Sequence, residues 1–586
     1  MTLEQARARL ADYGAMTSRQ YPADYPAQSG WAPLVTSLQD NVVGGVSTGM
    51  FMLLGGVGLL LLIACVNVAH LVLARAAGRS REMAIRQALG ARSGQLIRQL
   101  LAESAVIVAT SGVLGLIVAT WILSGLLALA PGRVPRIDEV TIDRAAVLIV
   151  AAIVCVTTVV FGLVPAWHLR RLDTVTAVKD AGAGRSTDSR TGRARNVLVA
   201  AEVAMATVLL VGAGLLVRTI VGLMNVPLGF ETGSMMTARV TLPRPNDTTR
   251  AEYLDPGRRV TFYRETLRRI TSLPEVESAA MSSEIPMGGF NPPLFVELQG
   301  GAADASVRPV MHSFLVSPSY FATMHVQIVR GRSFNDFDRA GSEPVAIVSE
   351  AAARTFWRGR DPIGERIRLA PELPWMTVIG IAGDVLNRRL SEAPQPILYR
   401  PLDQASDLTL ALLIRSRAAS GTLAERIAGE IRAVDPNLPI HSVAMMSDLI
   451  GVALAQRQFL MRLLVAFAAT ATALALLGIY GVMAYSVSQR TLEIGIRMAI
   501  GARQVDLSLM VVRHGTALAA AGLVCGVVLS LALSGLVRSQ LFGVEPADPI
   551  TLASVLILMI VVAAAAAYLP ARRAAAVDPV EALRAQ

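Results

Sequence analysis

Seven long apolar segments constrain this chain more than any other feature. They run over Met50–Leu73, Leu101–Ala130, Ala145–Trp167, Val197–Leu223, Leu460–Tyr485, Leu507–Val537 and Thr551–Leu569. A hydrocarbon core of ~30 Å takes about 20 mostly apolar residues in a helix. Each segment is rich in Leu, Val, Ala and Gly, which suits close helix packing in lipid. Hydrophobic residues make up 53% of the chain and charged residues 17%, against roughly 25% charged in ordinary globular proteins. Disorder, collagen and a small disulfide scaffold are excluded. The pattern predicts an α-helical polytopic membrane protein with about seven transmembrane helices.

Charge between the spans sets the orientation. The loop after the first span carries Arg75, Arg79, Arg81, Arg86, Arg92 and Arg98 against Glu82 alone. The next loop balances Arg133, Arg136 and Arg144 with Asp138, Glu139 and Asp143, and the third is basic again through Arg170, Arg171, Lys179, Arg185, Arg190, Arg193 and Arg195. Span four leads into a long, mostly soluble stretch that the alternation places outside. Arg490, Arg497 and Arg503 then fall inside, as do Arg572, Arg573 and Arg584 of the tail. Every basic loop lies on one face, the cytoplasmic one.

The net charge of +10 follows from that arginine, which anchors helices and meets anionic lipid. Aromatic residues are only 5%, and no basic face with aromatic platforms is visible, so no nucleic-acid partner is expected. Lys179 is the sole lysine and precedes Asp180, so no G-x-x-x-x-G-K-[ST] loop can form. The chain is not itself a P-loop ATPase. Cys65, Cys155 and Cys525 all fall within spans and read as packing residues.

An internal repeat organises the spans. Glu82-Met-Ala-Ile-Arg-Gln-Ala-Leu-Gly-Ala-Arg92 returns as Glu493-Ile-Gly-Ile-Arg-Met-Ala-Ile-Gly-Ala-Arg503. At an offset of 411, Glu82, Ile85, Arg86, Gly90, Ala91 and Arg92 match Glu493, Ile496, Arg497, Gly501, Ala502 and Arg503. Both copies join two spans on the cytoplasmic side. Pro165-Ala166 with Asp173-x-Val175-x-Ala177 likewise returns as Pro570-Ala571 with Asp578-x-Val580-x-Ala582. Spans one to three thus match spans five to seven. Glu82 and Arg86, like Glu493 and Arg497, form i,i+4 pairs in the favourable order, and Gly90 and Gly501 stop the short helix. A stiff basic stub of this kind can pass a push from a cytoplasmic partner to two spans.

Residues 226–456 alternate strand-like and helix-like stretches and predict a mixed α+β domain tied to the membrane by spans four and five. Strands are expected at Met236–Leu242, Val276–Ser282, Val345–Val348, Ile367–Leu369, Thr377–Ile381, Ile397–Tyr399, Leu408–Arg415 and Ile440–Val443. Helices are expected at Arg258–Thr271, Ser349–Arg358 and Leu423–Val434. His312, His325 and His441 are scattered, with no paired metal-ligand spacing, and no G-x-S-x-G occurs within residues 226–456. Asp336, Asp338 and Asp361 read as solvated turns more readily than as a calcium site. No catalytic residue, cofactor site or metal site is assigned. Asn67, His70, Glu103, Glu202, Arg513 and His514 are polar groups within or near spans; they do not recur at matching repeat positions and read as helix-packing or interfacial residues.

The repeated E-x-x-I-R-x-A-(Leu/Ile)-G-A-R segment and the Pro-Ala…Asp-x-Val-x-Ala endings resemble the FtsX-like permease domain of the MacB type. Val316–Met324, Gly331–Asp338, Ser349–Arg354 and Asp361–Glu365 are similar to the MacB periplasmic core domain. Leu61–Ala74 is similar to the subgroup with two fused permease units, the acidobacterial duplicated orphan permeases. The resemblance implies two FtsX-like units and one large α+β periplasmic core domain in a bacterial inner membrane protein. It divides the chain into a remnant of a first porter domain (1–47), a first permease domain (48–190), a helix leading to the periplasm (191–225), the core domain (226–456) and a second permease domain (457–586).

The resemblance also implies a function: a permease subunit of an ABC-type exporter or mechanotransmitter, driven by a cytoplasmic ABC ATPase in trans. Glu82–Arg92 and Glu493–Arg503 would face that ATPase, and ATP would enter only through it. The cargo classes implied are drug, peptide, lipid and lipoprotein. Further partners implied are a periplasmic adaptor, an outer-membrane channel, membrane lipid and a second permease chain. The alternative is an FtsX-like signalling scaffold that regulates a periplasmic partner such as a cell-wall hydrolase. Because seven spans leave the termini on opposite faces, the first unit reads as shortened at its N-terminus, with an opening helix expected before Met1–Ser47.

Overall fold

A computed structural model of the protein describes residues 2–21, 33, 35–38, 48–70, 93–129, 140–156, 188–243, 253–288, 292–301, 309–417, 422–438, 440–489, 496–498, 500 and 503–575. The chain divides into a sheet unit, Met1–Val35 with Leu223–Ala455, and a helical unit, Thr36–Gly222 with Gln456–Gln586.

The chain opens with α1 (Leu3–Gln20), where a capping box joins Thr2 and Gln5. Four helices follow: α2 (Thr48–His70), α3 (Ser93–Leu129), α4 (Arg144–Val156) and α5 (Asp188–Met224). The sheet unit then builds β1 (Met235–Thr241), α6 (Pro256–Thr271), β2 (Val276–Ser282), β3 (Leu294–Phe295), β4 (Glu297–Leu298), β5 (Val310–Val316) and α7 (Tyr320–Met324). It continues through β6 (Ile328–Gly331), β7 (Val345–Ser349), β8 (Arg366–Arg368), β9 (Met376–Ala382), β10 (Ile397–Pro401), β11 (Thr409–Ser416), α8 (Leu423–Val434) and β12 (Ile440–Met445). Three long helices end the described chain: α9 (Met446–Gln489), α10 (Gln504–Ala532) and α11 (Pro549–Ala575).

Six helices among the described residues are long and apolar enough to cross a membrane: α2, α3, α5, α9, α10 and α11. They coincide with six of the seven expected spans. The remaining span, Ala145–Trp167, starts as the apolar helix α4, and the rest of it lies outside the described residues.

In the helical unit α5 is the central element, with Val199, Val203, Ala206, Leu209 and Val211 all buried. Close approach depends on small residues. A Cβ on Gly522 of α10 would lie 2.5 Å from the Ala200 carbonyl, and one on Gly526 would lie 2.6 Å from Thr207 Cβ. The Gly-x-x-x-Gly spacing therefore lets α10 sit on the backbone of α5. Gly515, one further turn pair along, takes Ala567 of α11 in the same manner.

The sheet unit holds one twelve-stranded mixed sheet in the order β12-β1-β11-β2-β5-β10-β7-β9-β8-β4, with β3 on β5 and β6 on β9. Strand β11 is buried along all but its first residue, because both its faces are covered. Leu410, Leu412 and Ile414 meet α6 and α8 through Phe262, Tyr263, Ile270, Ile427 and Ile431. Ala411 and Leu413 face a second core with Phe314, Tyr320, Phe321 and Tyr399. A third core around Phe356, Trp357, Ile367, Val378 and Leu398 belongs to the β7–β9 end.

Helix α6 starts on Asp255, whose carboxylate accepts from Gly257 N at 2.9 Å, with Pro256 in the first turn. Gly331 ends β6 at φ +79°, and a Cβ there would lie 2.3 Å from the Ile379 carbonyl. Only glycine fits both demands. The helix expected over Ser349–Arg358 is present, but only its first turn, Glu350–Ala352, is α; Ala353–Trp357 widens into a π turn that places Phe356 and Trp357 in the third core.

Candidate functional site

Helix α9 joins the last strand of the sheet, β12, to the second copy of the repeated segment in sequence. Its first residue, Met446, directly follows Met445, the last of β12, so no linker separates strand from helix. Strand β12 pairs with β1, Met445 opposite Met236, and β1 follows α5 in the chain. The two helices that bracket the sheet unit in sequence therefore feed two hydrogen-bonded neighbours in its sheet.

At the other end α9 leads to the second copy of the repeated segment. Ile496 and Arg497 lie in a helical turn, and Ile500 N donates to Ile496 O at 3.0 Å. The Arg497 guanidinium reaches Met510 Sδ at 3.4 Å, and Arg503 stands in extended conformation before the first turn of α10. Glu82, Ile85, Arg86, Gly90, Ala91, Arg92, Glu493, Gly501 and Ala502 lie outside the described residues.

The repeat is also visible in packing. A Cβ on Gly49 would lie 2.6 Å from Leu460 Cδ1, and one on Gly56 would lie 3.1 Å from Phe467 Cδ2. Both pairs are 411 residues apart, the offset of the repeated segment. Helix α2 and helix α9 thus pack in parallel, with equivalent positions opposed at seven-residue steps, as in an in-register coiled coil. Glycine on one side accommodates the large side chain on the other.

Intramembrane polar groups collect beside this seam. Glu202 of α5 is fully buried, and its Oε1 accepts from Asn67 Nδ2 at 2.5 Å. The same Nδ2 donates to the Leu474 carbonyl at 3.2 Å. Gly478 faces the other carboxylate oxygen, where a Cβ would lie 2.1 Å from Oε2. Asn67 and Gly478 are again repeat equivalents. Their difference in sequence is what makes room for Glu202 between the two halves. Arg195, nearly fully buried, holds its guanidinium 3.8 Å above the Tyr485 ring. Sequence reading singled out Asn67 and Glu202 but not their pairing, since 135 residues separate them.

Near the far end of α5, Arg218 pairs with Asp548, which also caps α11 by accepting from Thr551 N at 2.7 Å and Thr551 Oγ1 at 2.6 Å. The Thr551 hydroxyl, joined by Arg218, holds the Asp548 carboxyl below its usual range.

Among its described residues the sheet unit brings no catalytic set together. Among the described residues no three His, Cys, Asp or Glu side chains cluster as metal ligands. His325 Nδ1 lies 2.6 Å from Glu231, His441 Nε2 lies 3.0 Å from Thr241 Oγ1, and His312 is buried elsewhere. Asp338 is gripped by Arg332 through two contacts of 2.7 and 2.9 Å, and Asp361 by Arg330 at 2.7 Å. Burial pushes the Asp338 carboxyl up, but the Arg332 fork and the Asn335 amide outweigh it and leave the net shift downward. These turns are fastened by arginine. A cavity of about 230 Å³ lined by Arg339, Leu373, Met376 and Arg400 offers a binding surface. No carboxylate or histidine among the described residues lines it, so it is not built for acid–base chemistry.

Residues 55–174 and 465–579 each match the FtsX-like permease C-terminal domain, and residues 256–434 match the MacB-like periplasmic core domain. The chain belongs to the MacB/FtsX-like ABC transporter permease family. The two permease matches fall on the two halves of the internal repeat.

The chain is 30% identical over 282 residues to a probable syringafactin export ATP-binding/permease protein of Pseudomonas syringae pv. tomato, covering 46% of this chain and 41% of that one. It is 24% identical over 331 residues to a macrolide export ATP-binding/permease protein of Paracoccus denitrificans, covering 54% and 48%. The matched region thus spans less than half the length of these curated relatives. The periplasmic region of MacB from Actinobacillus actinomycetemcomitans matches 39% of this chain and 96% of its own, at 12% identity and a TM-score of 0.27. Family and helices together make this MacB/FtsX-like protein an inner membrane protein with a large periplasmic domain, the sheet unit. In its family it is the permease component, which is not itself catalytic.

Proposed function

We propose that the chain is the permease subunit of an ABC-type exporter or mechanotransmitter of the MacB type, powered by a cytoplasmic ATPase in trans. The observation that carries this reading is the duplicated cytoplasmic segment, Glu82–Arg92 and Glu493–Arg503, coupled to helix α9, which runs without a linker into β12. A basic stub at one end of a continuous helix and a sheet strand at the other form a lever. The i,i+4 spacing of Glu82 with Arg86 and of Glu493 with Arg497 favours a helical stub in each copy, and in this reading Arg86, Arg92, Arg497 and Arg503 present charge to the partner.

The relatives' names describe export of a macrolide and of syringafactin, and on that likeness the work is expulsion of cargo on the periplasmic side. Drug, peptide, lipid and lipoprotein are the cargo classes. A periplasmic adaptor, an outer-membrane channel and a second permease chain complete such a machine. The in-register packing of α2 on α9 supports membership of the duplicated-permease subgroup. No bound cofactor is assigned; ATP acts through the partner.

Capture of a candidate ABC ATPase from co-expressing membranes tests the reading. Wild-type chain retains the ATPase, and Arg86→Glu with Arg497→Glu loses it. Undiminished capture by the paired variant sinks the docking assignment.

A further inference from the structure

The cytoplasmic end of the second permease half carries a second site. A cavity of about 360 Å³ opens between the last turns of α9 and the first turns of α10. Its lining combines apolar Met483, Val487 and Met510 with basic Arg497, Arg513 and His514. On α10, Met510, Arg513 and His514 follow the i, i+3, i+4 pattern of a single helix face. Arg513 and His514 are exposed and form no side-chain hydrogen bond or ion pair with any described residue. No described carboxylate lines the cavity.

This combination is unusual in a spanning helix. Arg513 and His514 stand about ten residues into α10, on a stretch otherwise apolar from Leu509 to Val512. A guanidinium there lies within snorkelling reach of the inner-leaflet headgroups. Its counter-charge must come from outside the described protein. An apolar lining combined with basic groups, at the cytoplasmic membrane boundary, matches a phosphodiester with its acyl chains and does not match a free inorganic anion, which would need no apolar lining.

We infer that this cavity binds an anionic phospholipid of the inner leaflet, its phosphate against Arg513, His514 and Arg497 and an acyl chain along Met483, Val487 and Met510. The site shares Arg497 with the proposed ATPase-facing stub, but the inference rests only on the cavity, its charge and its depth. It would place lipid charge beside Arg497 and so make the second stub sensitive to leaflet composition.

Native mass spectrometry of the full chain in a neutral detergent tests this, with phosphatidylglycerol and phosphatidylcholine of identical acyl chains as the probes. Phosphatidylglycerol is expected to be retained at a concentration about tenfold lower or better, as two or three basic groups facing an anionic lipid warrant. Arg513→Gln with His514→Gln brings it to the phosphatidylcholine level, whereas Arg462→Gln, in the N-terminal half of α9 and 21 residues before Met483, leaves the preference intact. Equal retention of the two lipids by wild type overturns the site, as does a preference that survives the double variant. Inorganic phosphate that displaces phosphatidylglycerol at equal concentration would make it a free-anion site and overturn the lipid assignment. A photoreactive phosphatidylglycerol used on wild type alone guards against misfolding: label on 483–487 and 507–517 supports the site, and label only elsewhere removes it.

Discussion

Asn67 donates to Glu202 at 2.5 Å, joining the first permease half to the helix that precedes the sheet unit in sequence. Gly478 closes the other side of the carboxylate. Gly478→Ala is therefore expected to destabilise the protein by about 1–3 kcal/mol through overpacking. Glu202→Ala in the same chain should relieve most of that cost, because the clash needs both groups. Thermal unfolding of the four chains of the double-mutant cycle reads the coupling, and additive effects would show that the two sites do not touch.

The seam between α2 and α9 makes a register prediction. In a cysteine-free background, Gly56→Cys should cross-link to Phe467→Cys with a short bifunctional thiol reagent. It should do so poorly with Leu474→Cys, which is two helical turns further on. Similar yields for both pairs would contradict the equivalence of positions 411 apart.

Glu284, in the sheet unit, carries a carboxyl raised to about 6, chiefly by burial, with Arg239 opposing and Asp407 reinforcing the shift. Its folded value lies above the unfolded one, so its contribution to stability is full below the unfolded value and is lost as pH rises through about 6. Glu284→Gln should then stabilise the protein by about 2 kcal/mol at pH well above the folded value, with no gain in acid below the unfolded value. Denaturant titrations at both ends of that range check the sign, and a gain confined to low pH would contradict it.

Backbone geometry gives a further contrast. Gly331→Ala must meet both a left-handed φ and the Ile379 carbonyl, and should cost about 3 kcal/mol or more. Gly341 has a similar φ of +87° but open space around it, and its alanine variant should cost only about 1 kcal/mol. Thermal unfolding of the two variants side by side decides whether the close approach at Gly331 adds to the strain.

Much of this architecture can be read from the sequence. Span positions follow from apolar length alone, and β2 and α8 fall where alternation and helical periodicity place them. Strand β5 escapes such reading because its Val310–Val316 run carries His312 and Ser313 in its middle, although it is a buried central strand. The π turn at Ala353–Trp357 has no sequence signature, since it is set by how Phe356 and Trp357 seat in the third core. Arg415 is nearly fully buried, yet its guanidinium is satisfied by the Thr323 carbonyl at 2.9 and 3.1 Å. Periodicity reports which face of an element is covered, not which distant atom covers it. The same limit hid the Asn67–Glu202 pair, whose residues were visible singly. Of the twelve stub residues, Ile496, Arg497 and Arg503 are described, and their role rests on the repeat.

The claim at the centre is that ATP used in the cytoplasm moves the periplasmic sheet. Its most direct measurement is the reaction rate of an impermeant maleimide with Val443→Cys in β12, whose side chain is half exposed three residues before α9. In cysteine-free chain reconstituted with the captured ATPase, adding ATP should change that rate, and Arg86→Glu with Arg497→Glu should abolish the change. A rate indifferent to ATP while the bound ATPase turns over would contradict the account.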